Sequence, residues 1–119
     1  MAKILMVDDD EFLPKTLGMM LIKVCAHEII FAPDGQKGLE SLLRNPGVEI
    51  ILCDYNMPIL NGYLFCKEVK TNDKYKPFSH IPIIGIGDFP EDQRTFLAEF
   101  KQKPIGFTEL DECIRQYCP

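Results

Sequence analysis

Val48-Glu49-Ile50-Ile51-Leu52-Cys53-Asp54-Tyr55-Asn56-Met57-Pro58 is the stretch that decides the fold. From Val48 to Cys53 only Glu49 is polar, and the run stops at an acid. A strand with one wet face would alternate apolar and polar residues. A nearly unbroken apolar run is what a strand covered on both faces needs, and such strands belong to parallel sheets flanked by helices. Asp54 then stands at the carboxyl end of that strand.

Working outward, strand-like and helix-like segments alternate. Ile4 to Val7 is a short apolar run of strand formers. Leu13, Leu17, Met20, Leu21 and Val24 share one face at helical spacing, with Pro14 tolerable only in the first turn. His27 to Phe31 reads as a second strand and Asp34-Gly35 as a turn. Leu39, Leu42 and Leu43 mark a second helix that stops at Asn45-Pro46-Gly47. Beyond the loop from Tyr55 to Asn61, Leu64, Phe65 and Val69 predict a third helix, and Ile81 to Ile86 a fourth strand. A short helix over Pro90–Glu99 and a brief strand over Phe100–Gln102 follow. The last helix carries Phe107, Leu110, Ile114 and Tyr117 on one side, opened by a Thr108/Asp111 capping box. Five β-α units predict an α/β fold: one domain over residues 1–119, a doubly wound five-stranded parallel sheet with helices on both faces.

A chain of 119 residues supports one core and is too short for two. Its net charge of -5 offers no general attraction to nucleic acid or an anionic membrane, so neither is expected as a direct partner. Five scattered cysteines, with no CxxC pair, argue against a disulfide framework or a zinc site and for thiols in a reducing compartment. The N-terminal run has no signal-peptide shape and no apolar run reaches membrane-spanning length, so a cytoplasmic protein is expected. His27 and His80 stand alone in sequence and read as surface or strand-edge residues.

In open parallel sheets, ligands sit beyond the carboxyl ends of the strands, where the strand order reverses. Here those ends are Asp8-Asp9-Asp10, Asp54, Gly87-Asp88 and Lys103-Pro104. Two like charges about 4 Å apart repel by roughly 4 kcal/mol at an effective dielectric near 20, so such a cluster calls for a cation. Carboxylates with room left for phosphate and water suit Mg²⁺. A bound Mg²⁺ would keep Asp54 ionised and offset charge on an incoming phosphoryl group, leaving the aspartate as nucleophile and Lys103 to pair with the phosphoryl oxygens. Read separately, Asp8, Asp9 and Asp10 are also good helix caps, Asp10 above all, and Asp54 a plain turn residue.

Taken in order, these motifs resemble the response-regulator receiver domains of two-component signalling. The resemblance rests on Asp8-Asp9 after an apolar strand, Ala32-Pro33-Asp34-Gly35, Asp54-Tyr55-Asn56-Met57-Pro58 with Gly62, and Lys103-Pro104, and it runs from Lys3 to Tyr117. It implies a flavodoxin-like strand order 2-1-3-4-5. It also implies that Asp54 is the phosphoacceptor, Asp9 a direct metal ligand, Asp8 its water-mediated partner and Asn56 a ligand through its backbone carbonyl. Lys103 would be the phosphate-pairing lysine, joined to Pro104 by a cis bond, and Phe100 the aromatic that reports the phosphorylation state. A histidine kinase or phosphotransfer protein would be the donor and a downstream protein the target, with no enzymatic activity beyond phosphorylation and dephosphorylation of the domain itself.

Two departures are visible. The family's Thr or Ser at the end of the fourth strand is Gly87, followed by Asp88 where a small residue is usual. Asp88-Phe89-Pro90-Glu91 reads as the capping box of a short fourth helix; the competing reading puts a further carboxylate at the mouth of the site. From Gly87 to Lys103 is only 103 − 87 = 16 positions, so the fourth helix must be shortened. These departures keep a second reading open, a pseudo-receiver that binds partners regardless of phosphate. A third reading, a haloacid-dehalogenase-like phosphatase, draws on the Asp-x-Asp spacing of Asp8-Asp9-Asp10, but Glu11-Phe12 lack the expected Thr or Val.

Overall fold

Burial on both faces is visible first in the third strand, β3 (Ile50–Asp54), all five of whose residues are buried. A computed structural model of the chain describes residues 1–10 and 13–119, with the backbone alone at residues 13 and 14. Around β3 lie β1 (Lys3–Val7), β2 (Glu28–Ala32), β4 (Ile83–Ile86) and β5 (Glu99–Lys101), all parallel, in the order β2-β1-β3-β4-β5. The expected order 2-1-3-4-5 is therefore the observed one. Among the described residues, four α-helices connect and cover the sheet: α1 (Leu13–Lys23), α2 (Gly35–Arg44), α3 (Gly62–Thr71) and α4 (Phe107–Tyr117).

Successive strand residues point to opposite faces, so the inner strands feed two cores. Leu5, Val7, Ile51, Cys53 and Ile83 pack with Leu39, Leu42, Phe65 and Val69 of α2 and α3. Ile4, Met6, Ile50, Leu52, Ile84 and Ile86 pack with Leu17, Leu21, Leu110 and Ile114 of α1 and α4. Full burial of one such side chain is worth about 1.5–3 kcal/mol, which is why the apolar runs override any weaker local preference.

Two helices open on side-chain caps that the sequence reading did not assign. Asp34 caps α2 by accepting from the Lys37 amide, and Asn61 caps α3 by accepting from the Leu64 amide. Elsewhere the structure corrects the reading. The helix expected over Pro90–Glu99 is a single 3₁₀ turn, Glu91–Gln93, whose cap position is Pro90 with no side-chain hydrogen bond. Asp88 is exposed and caps nothing there. The Thr108/Asp111 box does not form either: Gly106 is the cap residue of α4, without a side-chain bond. Asp111 is instead drawn to His27 Nε2 at 2.6 Å and to Arg115 Nε at 2.9 Å.

His27 is thus no surface residue. It is 6% exposed, and its Nδ1 accepts from the Ala2 amide at 3.1 Å. Val24 lies beyond α1 and is 60% exposed, so the apolar stripe of that helix ends at Leu21. A 3₁₀ segment, Asp73–Phe78, precedes β4 and buries Tyr75 and Phe78, an element the periodicity did not suggest. Pro14 falls in the first turn of α1 as expected, while the Leu13 side chain, and any bond from Asp10 into residues 11–12, lie outside the described residues.

Candidate functional site

Register brings the acids together. Val7 is level with Cys53, so Asp8, one residue further, is level with Asp54. Asp54 is itself level with Ile86, which puts Gly87 just beyond it. β1 and β3 are the pair at which the strand order reverses, the expected place for a ligand crevice. An open pocket of about 300 Å³ there is lined by Asp9, Asp10, Asp54, Asn56, Gly87, Asp88 and Lys103.

Within this crevice, carboxylate oxygens of Asp8, Asp9 and Asp54 all lie within 4.8 Å of one another. Lys103 Nζ sits 3.3 Å from Asp8 Oδ2 and 3.3 Å from Asp54 Oδ1, and the peptide bond from Lys103 to Pro104 is cis. The Tyr55 amide donates to Asp54 Oδ1 at 2.9 Å, and the Asp10 amide to Asp8 Oδ1 at 2.9 Å. Burial, joined by the charge of Asp8, pushes the Asp54 carboxyl up to about 6 despite the opposing pull of Lys103 and the Tyr55 amide. Burial also works against the Lys103 ammonium, but Asp8 and Asp54 outweigh it and hold its pKa above the usual lysine value. One lysine therefore under-compensates the acids around it. The cluster is hard, all-oxygen and short of positive charge, a donor set that fits a small divalent cation such as Mg²⁺.

Residues 4–114 match the model of the response regulator receiver domain. The chain belongs to the receiver domain family. Among its relatives are a chemotaxis protein CheY homolog of Campylobacter jejuni, 29% identical over 71% of this chain and 62% of that protein, and chemotaxis protein CheY1 of Helicobacter pylori, 30% identical over 71% of this chain and 65% of that protein. A probable transcriptional regulator, ycf27, of Galdieria sulphuraria is 31% identical over 95% of the receiver but 44% of its own length. The alignments thus span less than two thirds of each of these relatives. In fold, the receiver is similar to the Vibrio cholerae chemotaxis protein CheY4, with a TM-score of 0.83, 24% identity and 98% of both chains covered. A receiver domain protein of Clostridium thermocellum gives a TM-score of 0.82 at 22% identity, covering 98% of this chain and 94% of that one. Family membership places the chain in two-component signalling and sets aside the phosphatase reading of Asp8-Asp9-Asp10. Among the described residues, no helix is long and apolar enough to cross a membrane.

Gly87 stands where the family resemblance led to the expectation of a Thr or Ser. Gly87 has φ +114, a backbone conformation L side chains rarely adopt, and a Cβ there would lie 2.9 Å from Asp54 Oδ1. Its amide donates to the Lys101 carbonyl at 2.9 Å, extending the β4–β5 ladder by one bond. Gly62 is needed for a different reason: a Cβ there would come 2.3 Å from the Asp54 carbonyl oxygen and 2.7 Å from the Phe89 ring. Phe100, half-buried on β5, is covered by the Arg94 guanidinium, 4.1 Å from the ring centroid. Phe89 is 1% exposed and packs edge-on against both Tyr55 (centroids 5.1 Å apart) and Phe100 (6.5 Å apart). Sequence reading missed Phe89, Gln93 and Arg94 because it took their segment for a capping box followed by a short helix. The signal was already visible in the short span from Gly87 to Lys103, although its consequence for Phe89, the only fully buried aromatic of that span, was not drawn.

Proposed function

We propose that the receiver takes up a phosphoryl group on Asp54, with Mg²⁺ bound at Asp8, Asp9, Asp54 and the Asn56 backbone carbonyl. The observation that carries this reading is the placement of one lysine 3.3 Å from Asp54 Oδ1, with two further carboxylates gathered at the same strand ends. Bound Mg²⁺ would neutralise the clustered acids and the developing charge on the transferred group. Asp54 supplies the attacking carboxylate oxygen, held by the Tyr55 amide. As its bond to phosphorus forms, the phosphorus–nitrogen bond of a phosphohistidine donor breaks, and the electron pair leaves with the imidazole. Lys103 can turn from Asp8 and Asp54 to pair with the phosphoryl oxygens without moving its backbone. The donor is a histidine kinase or phosphotransfer protein, the output a contact with a downstream protein, and residues 1–119 act as one domain.

Incubation with acetyl phosphate and Mg²⁺, followed by intact mass, is expected to add one phosphoryl group to the wild type and none to Asp54→Asn. Absence of an adduct on the wild type would favour the second reading, a pseudo-receiver binding partners independently of phosphate, to which the side-chain-free Gly87 lends support. Asp88 adds negative charge at the mouth of the pocket. Asp88→Asn is therefore expected to speed adduct formation about threefold at low ionic strength, with the gain shrinking as salt screens the site. A salt-independent rate, equal in both proteins, would remove Asp88 from the site's electrostatics.

A further inference from the structure

The loop between β4 and β5 joins Asp54's neighbour to Phe100 by side-chain contacts that do not involve position 87. Tyr55 follows Asp54, and its hydroxyl donates to Gln93 Oε1 at 2.7 Å. Gln93 closes the 3₁₀ turn, its amide donating to the Pro90 carbonyl at 2.9 Å. Arg94, next in chain, donates from Nε to the Phe89 carbonyl at 3.0 Å and lays its guanidinium on Phe100. Phe89 fills the space between, touching Tyr55 on one side and Phe100 on the other. The segment's far end is held as well, the Ala98 amide donating to the Ile83 carbonyl at 2.8 Å.

We infer that Gln93 and Arg94 are positioning residues that tie Phe100 to Asp54 through Tyr55 and Phe89, so that a change at Asp54 reaches Phe100 along this strap. A guanidinium on an aromatic face holds the ring by attraction as well as by shape. A planar group pinned at Nε has little freedom to follow a moving ring, so Phe100 and the strap have to shift together. A hydroxyl at position 87 is not needed for that movement. The inference deepens the reading of Asp54 as phosphoacceptor, and its role in signalling rests on that reading.

The test uses the full chain carrying fluorinated phenylalanine, with the Phe100 signal assigned by its loss in Phe100→Leu, and ¹⁵N amide spectra to confirm folding. Beryllofluoride with Mg²⁺ mimics the acyl phosphate, and its bound fluorine resonance reports occupancy of Asp54 separately. The wild-type Phe100 signal is expected to move on occupancy, and that movement to fall by roughly half or more in Gln93→Ala and in Arg94→Gln. Coupling is reciprocal, so in the unliganded protein Arg94→Gln should also move the Tyr55 amide and Gln93→Ala the Phe100 ring. An occupied Asp54 with a stationary Phe100, or with equal Phe100 movement in both variants, overturns the inference. If beryllofluoride does not bind, the phosphoacceptor reading fails. The unliganded spectra then decide the strap alone: movement at Tyr55 and Phe100 upholds it, and none overturns it.

Discussion

Asp54 carries an electrostatic conflict at the centre of the site. Its folded carboxyl titrates near 6 because of burial and the Asp8 charge, against about 3.9 for an unfolded aspartate. Between those values the folded state holds the extra proton, so stability falls as pH rises through that window and stays lower above it. Asp54→Asn removes the conflict. In EDTA at neutral pH its urea midpoint is expected to exceed the wild type's by an amount worth roughly 1–3 kcal/mol, and millimolar Mg²⁺ is expected to close the gap by stabilising the wild type. Gly87 behaves oppositely to a simple missing hydroxyl. Gly87→Thr places a β-branched residue at φ +114 and a Cβ 2.9 Å from Asp54 Oδ1. The variant is expected to lose about 1–2 kcal/mol or more in urea unfolding, with no faster uptake from acetyl phosphate.

At the scale of elements, the decisive substitution is of a helix by a 3₁₀ turn. Between Gly87 and Glu99 the chain must leave β4, bury Phe89 and come back as β5 to pair with β4, which leaves little chain for a full helix. Local bonds replace it: Phe89 to Gly87, Gln93 to Pro90 and Leu97 to Arg94, each from amide to carbonyl. Phe89 anchors the segment, so Phe89→Ala should cost about 3–5 kcal/mol by equilibrium denaturation. Amide exchange should quicken first over residues 88–98 as the strap loosens. Unchanged stability would mean that the segment is held by its backbone bonds alone.

Across the whole molecule, the end of the sheet opposite the acids is closed by a polar contact. His27, just before β2, bridges the Ala2 amide and Asp111 of α4. Burial works to raise the Asp111 carboxyl, but the His27 hydrogen bond and the Arg115 charge outweigh it and hold the pKa below the usual range. A lowered carboxyl stabilises the fold above the unfolded pKa, and that contribution is lost as pH falls from about 4 through the folded value. Asp111→Asn should therefore be less stable at neutral pH and show a flatter acid limb in thermal melts recorded as a function of pH.

Val48–Asp54, the flanking apolar runs and their turn residues were enough for the five strands and the parallel sheet, while the strand order was implied only by the family resemblance. Burying unbroken apolar runs is worth many kcal/mol and requires helices on both faces of the sheet. The acids and Lys103 were legible for the same reason, since strand ends converge at one edge of such a sheet. Tertiary structure alone decided the rest. A capping box at Asp88 or Thr108 is worth about 1 kcal/mol, too little to prevail where Phe89 has to be buried or where His27 and Arg115 compete for Asp111. Gly87 looked like a lost hydroxyl; its φ and the close approach of Asp54 follow from how β4 hands the chain to the strap, a long-range geometry that no local pattern encodes.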